Sequence, residues 1–352
     1  MDRTNIQKTD KISPDFDLSI TEIKSELDSV GANSEKLFTV KSANLWIDQA
    51  KSRPIPQVLF SEFWFEGELC ILFSDTNLGK SIAAVQIGDS ISKATPIKGF
   101  RLEAERQRVL YFDFELSDKQ FEARYSINYA HHYTFDEYFF RAEINPEKSD
   151  YSKFGTFEDY LYHSLEDSIL ATGAKVVIID NITYLKEETE RARFALPLMK
   201  RLQELKKKLG LSILCLAHTP KRDLSKPITR NDLQGSKMLI NFCDSAFAIG
   251  ESTTDSQIRY FKQIKVRNCQ HIYDSENVVT CQVNKASNFL QFEFIAFTRE
   301  REHLKAQSDQ DREAIIEKVK DLAQKGHSQR EIAKDLNISL GAVNKYVHAF
   351  TP

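Results

Sequence analysis

The chain has 352 residues, 41% of them apolar and 28% charged, which suffices to bury one large core or two moderate ones. A net charge of −3 excludes a globally basic nucleic-acid binder, so any such contact must come from local patches. Five cysteines (Cys70, Cys215, Cys243, Cys269, Cys281) without C-x-x-C spacing argue against a disulfide framework or a cysteine metal site. No apolar run approaches the about 18 residues of a membrane span, and no charged-then-apolar leader is seen, so the expectation is a soluble cytoplasmic protein with no membrane association.

Residues 1–36 are polar and poor in aromatics and read as a tail. A helix capped by Ser42 follows and is broken by Pro54 and Pro56. The aromatic-rich stretch from Leu59 to Glu68 reads as core packing. The apolar run Leu69-Cys70-Ile71-Leu72-Phe73 then leads into Ser74-Asp75-Thr76-Asn77-Leu78-Gly79-Lys80-Ser81 and the helix-forming Ile82-Ala83-Ala84-Val85. Strand, polar turn ending Gly-Lys-Ser, then helix is the context of a phosphate-binding P-loop, although Ser74 stands where the pattern has its first glycine. Loop amides and the helix N-terminus would face phosphate oxygens across Ser74, Asn77, Leu78, Gly79, Lys80, Ser81 and Ile82. Lys80 would reach the β- and γ-phosphates of ATP, and the Ser81 hydroxyl would ligate Mg²⁺. An ordinary turn with a solvated lysine fits the same residues less well.

Three further apolar runs end in polar groups. Val109-Leu110-Tyr111-Phe112-Asp113 is followed by Glu115 and a helix capped by Ser117, so Glu115 falls at a strand's carboxyl end, where it could activate a water. A surface acid near a helix start is the alternative. Val176-Val177-Ile178-Ile179 ends in Asp180, about 100 residues after Lys80, as a buried parallel strand delivering a metal-facing carboxylate would. Ser212 to Ala217 ends in His218, a candidate γ-phosphate sensor or a structural histidine. The loop from Pro220 to Asp232 carries Lys221, Arg222, Lys226 and Arg230, a candidate grip on a nucleic-acid backbone or plain solvated surface.

From Phe60 to Phe294 these motifs together resemble the RecA-fold ATPases, specifically plasmid RepA-type hexameric helicases, with DnaB-type helicases and RadA as more distant relatives. The resemblance rests on the P-loop, Y-F-D-F-E-L-S at 111 to 117, V-I-I-D at 177 to 180, L-A-H-T at 216 to 219 and D-L-Q-G-S at 232 to 236. It implies an α/β fold with a RecA-like, mostly parallel sheet flanked by helices. It also makes Glu115 the catalytic glutamate, Asp180 the Walker B aspartate and His218 the sensor. The stretch Lys265-Val266-Arg267-Asn268 is similar to a Lys-x-Arg-Asn hairpin of DnaB-type ATPases, which implies that Lys265 and Arg267 reach a neighbouring subunit's site in a homo-oligomeric ring of the hexameric kind.

Beyond a polar linker at 301–310 the pattern changes. Three short amphipathic helices, the second capped by Ser328 with Glu331 three residues on, add a small all-α helix-turn-helix domain at 311–352, similar to that of resolvases and many bacterial regulators. Its exposed face would offer Ser339, Asn344, Lys345 and His348 to DNA, with Arg330 near a phosphate. Nine basic against eight acidic residues from 301 to 352 temper that expectation, and a protein-interaction bundle fits the same pattern. The expected whole is a tail (1–36), a RecA-like ATPase domain (37–300), the linker and this domain. The expected function is Mg²⁺-dependent ATP hydrolysis coupled to action on DNA, or an ATP-switched DNA-binding regulator or loader.

Overall fold

The computed structural model describes residues 38–145, 147, 151–182, 195–220, 222–233, 237–305 and 309–348. The chain divides into two compact units, residues 1–56 and 57–352. The described part of the first unit is a helix, α1 (Ala43–Lys51), opened by Ser42, whose hydroxyl accepts the Leu45 N–H at 3.3 Å.

In the second unit, nine of the described strands form one sheet. They are β3 (Leu69–Ser74), β4 (Val109–Asp113), β7 (Phe139–Ala142), β8 (Val176–Asp180), β9 (Ser212–His218), β10 (Ser245–Glu251), β11 (Ile258–Lys265), β12 (Val278–Asn284) and β13 (Gln291–Thr298). The order across the sheet is β13-β12-β11-β10-β3-β9-β8-β4-β7. From β10 to β7 all neighbours are parallel, and β10 to β13 form an antiparallel extension. The expected mostly parallel sheet is therefore present. Two small hairpins, β1 (Val58–Phe60) with β2 (Trp64–Phe65) and β5 (Ser126–Ile127) with β6 (His131–His132), lie outside it.

Burial on both faces explains why β3, β8 and β9 are almost unbroken apolar runs. Leu69, Ile71 and Phe73 point into one core with Leu161, Leu165 and Ile169 of α4 (Phe157–Thr172) and Leu198, Met199 and Leu202 of α5 (Ala195–Leu209). Cys70 and Leu72, on the alternate face, join Ala83, Ala84, Val85, Ile87 and Ile91 of α2 (Lys80–Lys93). Leu59, Phe60, Phe63 and Trp64 are buried in this second core, as expected of the aromatic stretch. At Gly88 the helix lies so close to the sheet that a Cβ would come within 2.6 Å of the Phe139 ring. Each fully buried Leu, Ile or Val contributes about 1.5–3 kcal/mol, so these layers carry most of the stability.

Packing continues into the expected linker, where His303 is buried. Three helices then follow, α7 (Asp309–Gln324), α8 (Gln329–Asp335) and α9 (Leu340–His348). Between α6 (Lys237–Phe242) and these, β10 to β13 complete the sheet. The three terminal helices pack on Val319, Ile332 and Val343, all fully buried. The capping box of Ser328 and Glu331 forms as its spacing predicts. Among the described residues no helix is long and apolar enough to cross a membrane.

Candidate nucleotide site

The sheet order brings the predicted residues to one edge. Strand β9 lies between β3 and β8, and β4 lies beyond β8, so the carboxyl ends of four adjacent parallel strands present Ser74, His218, Asp180 and Asp113 side by side. Ser74 pairs with His218 and Asp113 with Asp180 in the ladder. The chain leaves β3 for β4 and later returns to insert β8 and β9 between them, which makes this edge a topological switch point, where open α/β sheets bind ligands.

The loop from Asp75 to Gly79 turns through left-handed conformations at Asn77 (φ 65°) and Gly79 (φ 93°). Gly79 is required twice over, because a Cβ there would also lie 2.9 Å from the Phe292 ring. Ser74 is not among the positive-φ residues, so the missing motif glycine leaves no strain behind. Its hydroxyl takes part instead: the buried Lys80 Nζ donates to Ser74 Oγ at 3.2 Å, Ser74 O at 3.1 Å and Asp75 O at 3.0 Å. Burial lowers the Lys80 pKa, opposed by the charges of Asp180, Glu115 and Asp75. Leu78 is buried and Ile82 half-buried beneath the loop, while α2 points its free amides outward with no side chain capping them. Unfilled N-terminal amides and a lysine held by loop carbonyls suit a phosphate chain, whose oxygens would take over both.

Asp180 is almost wholly buried. Its Oδ2 accepts the Tyr111 hydroxyl at 2.6 Å, and its Oδ1 makes no hydrogen bond. Burial raises its pKa to about 6 against the nearby Ser81 and Tyr111 hydroxyls, which lower it. An orphaned carboxylate oxygen beside a serine hydroxyl fits Mg²⁺. No cluster of three or more acidic, histidine or cysteine ligands exists among the described residues, so such an ion would take its remaining ligands from phosphate and water, as Mg²⁺ commonly does.

Glu115 meets two partners that the strand order supplies. The Asn181 amide donates to its Oε1, and His218 Nε2 lies 3.4 Å from the same oxygen and 3.1 Å from Asn181 Nδ2. His218 in the first place, with Lys80 and Asn181 assisting, holds the Glu115 carboxyl below its usual range, so it is ionised at neutral pH and can accept a proton. His218 Nδ1 is buried with no hydrogen-bond partner.

Other expected residues lie elsewhere. Lys265 pairs in the ladder with Ala246 at the opening of β10, at the opposite edge of the sheet. Its Nζ donates to the carbonyls of Ile240 (2.6 Å), Asn241 (3.2 Å) and Cys243 (2.7 Å), closing the end of α6. Arg267, half exposed, donates to Asp244 at 2.9 Å, an acid it shares with Lys206. Within the 220–232 loop, Arg222 is largely enclosed. Only 6% of its side chain is exposed, it donates to Lys226 O at 2.8 Å, and it lies 3.5 Å from Asp232. Arg230 is exposed in a short 3-10 turn capped by Thr229, and Lys221 lies outside the described residues. Arg330, Asn344 and Lys345 are exposed on α8 and α9. Lys226 reaches that module directly, donating to Asn337 O at 3.3 Å.

Sequence reasoning gave no role to Asn181. Its position after the strand-ending acid was the available signal, but only the adjacency of β8 to both β4 and β9 puts its amide between Glu115 and His218. A comparison with curated proteins yields no match. The AAA domain family, however, matches residues 35–223, more than half the chain and every strand end described above. With a P-loop, a buried aspartate and an ionised glutamate on one sheet edge, the chain belongs to the AAA domain family and is a P-loop ATPase.

Proposed function

We propose that the protein hydrolyses ATP with Mg²⁺ and couples hydrolysis to work on DNA as a RepA-type helicase. The observation that carries this reading is the meeting of Glu115 and Asn181 with His218, which ends the strand whose following loop touches the terminal helices through Lys226. Lys80 and the α2 amides hold the phosphates. Ser81 and Asp180 hold Mg²⁺, which when bound neutralises phosphate charge. Glu115 takes the proton of the attacking water, and His218, beside it, responds to the terminal phosphate. Arg267 serves a neighbouring copy in a ring, a task suited to its planar guanidinium; Lys265 is more firmly committed to its own carbonyls. The terminal helices act as a helix-turn-helix, with Arg330, Asn344 and Lys345 toward the duplex and Arg230 near a backbone. A cytoplasmic location accords with four buried, free cysteines and a fifth that is half-buried.

The test is ATPase rate without DNA, with single strands and with duplex, alongside strand displacement. DNA-stimulated hydrolysis with ATP-dependent unwinding is the expected result. A second reading, an ATP-switched regulator or loader, is favoured by one contact set: the loop after His218 binds the terminal module through Lys226 and accepts the Lys305 N–H at Leu224 O. Duplex binding that changes with nucleotide, without unwinding, would select it.

A further inference from the structure

One cation outside the nucleotide edge makes its three described side-chain hydrogen bonds on or beside the turn that carries Glu115. Arg141 sits on β7, the outer parallel strand, with 18% of its side chain exposed. Its Nε donates to Asp113 Oδ2 at 2.9 Å, Nη1 to Asp118 Oδ1 at 2.9 Å and Nη2 to Leu116 O at 2.7 Å. Glu143 lies 3.4 Å from Nη2, and the Phe121 ring lies beneath the guanidinium at 4.8 Å. Asp113 completes the clamp from inside the sheet. Its side chain is fully buried, and its Oδ1 accepts the N–H groups of Glu115 at 3.2 Å and Leu116 at 2.9 Å. The next residue, Phe114, donates its N–H to Asp180 O at 2.9 Å, tying the turn to β8.

The chemistry of this arrangement is specific. Arg141 Nε takes up Asp113 Oδ2, which fixes the carboxylate with its other oxygen, Oδ1, toward both turn amides. A rigid guanidinium carries its donors on three separate nitrogens and so spans the Asp113, Asp118 and Leu116 acceptors in fixed directions, whereas an ammonium's three donors share one nitrogen. The turn can then deliver Glu115 Oε1 to Asn181 and His218 in one orientation.

We propose that Arg141, acting through Asp113, is a positioning residue for Glu115, setting the rate of the hydrolytic step without touching the nucleotide. This rests on Glu115 being the general base. The experiment uses the full chain and compares R141Q, R141K, D113N and E115Q by single-turnover ATP hydrolysis at saturating ATP, by affinity for a slowly hydrolysed ATP analogue, and by thermal unfolding. R141Q should lose about 10²-fold in rate, the loss expected of a misplaced catalytic group, with analogue affinity unchanged. R141K should fall between it and the parent, because it restores the charge beside Asp113 but not the contacts to Leu116 and Asp118. A parent-like rate in R141Q, or a rate loss matched by lost affinity with no improvement in R141K, overturns the proposal. If R141Q does not fold, R141K and D113N decide it: slowed hydrolysis with intact affinity supports it, and parent rates in both overturn it. Parent-like hydrolysis by E115Q overturns the base assignment and this proposal together, whereas an inactive E115Q beside a fully active R141Q overturns this proposal alone.

Discussion

Two buried charged clusters, one on each half of the sheet, differ in whether their hydrogen bonds are complete. On the antiparallel half Glu300 is fully buried, and both of its oxygens are saturated by Lys262, Ser275 Oγ (2.8 Å), the Ile228 N–H (2.7 Å) and Tyr260 (3.3 Å). On the parallel half Asp180 Oδ1 and His218 Nδ1 are buried without partners, and Lys80 bonds only weakly basic loop oxygens among its described contacts. A complete cluster holds structure together, whereas an incomplete one is poised to exchange partners with a ligand. Unsatisfied buried groups cost free energy that a fold tolerates chiefly where binding removes the deficit.

That contrast separates activity from stability, and substitutions on the two halves can break it. Glu115→Gln should lower ATP hydrolysis by about 10²–10⁴-fold, the usual contribution of a general base, with little change in melting temperature. Steady-state phosphate release and calorimetry on the same sample check both halves of that statement. Glu300→Ala should do the reverse on the other half: removing one partner of a buried pair strands Lys262 and costs about 3–5 kcal/mol of stability, read by urea denaturation. Should the Glu300 variant unfold no more easily than the parent, the cluster is not the structural element described. Asn181→Ala removes a donor to an ionised carboxylate, worth about 1.5–3 kcal/mol, so hydrolysis should slow by roughly ten- to a hundredfold, less than for Glu115→Gln.

The smallest effect concerns pH. His303 is buried beside Glu300, with Nδ1 3.0 Å from Ser252 Oγ and Nε2 2.7 Å from Thr298 Oγ1. Burial pulls its pKa below the ordinary 6.5, so the folded chain takes up this proton less readily than the unfolded chain. Its contribution to stability is therefore full above about pH 6.5 and is lost as pH falls through the folded value. His303→Gln should flatten that part of the stability profile between about pH 7.5 and 5, measured by denaturant midpoint. A slope identical to the parent's would assign the acid sensitivity to other groups.

What was legible in the sequence was what local patterns encode. Apolar runs that end in Ser74, Asp180 and His218 declare buried parallel strands with polar ends, and the Ser328 and Glu331 capping box needs only its own four residues. Roles that depend on which strands become neighbours were not legible. Asn181 bridges Glu115 and His218 only because β8 lies between β4 and β9, and Arg141 reaches Asp113 only because β7 pairs with β4. The enclosure of Arg222 was hidden for a related reason, since Lys226 O and Asp232 come beside it only in the folded loop.

The hydrogen bond from Lys305 N–H to Leu224 O also fixes a leash. Lys305 is anchored to the loop that leaves β9, and α7 starts at Asp309, four residue steps later. At about 3.3–3.6 Å per extended residue, the beginning of α7 stays within about 14 Å of that anchor in any arrangement. The point at which the three terminal helices join the ATPase body is thereby kept beside the loop that follows His218.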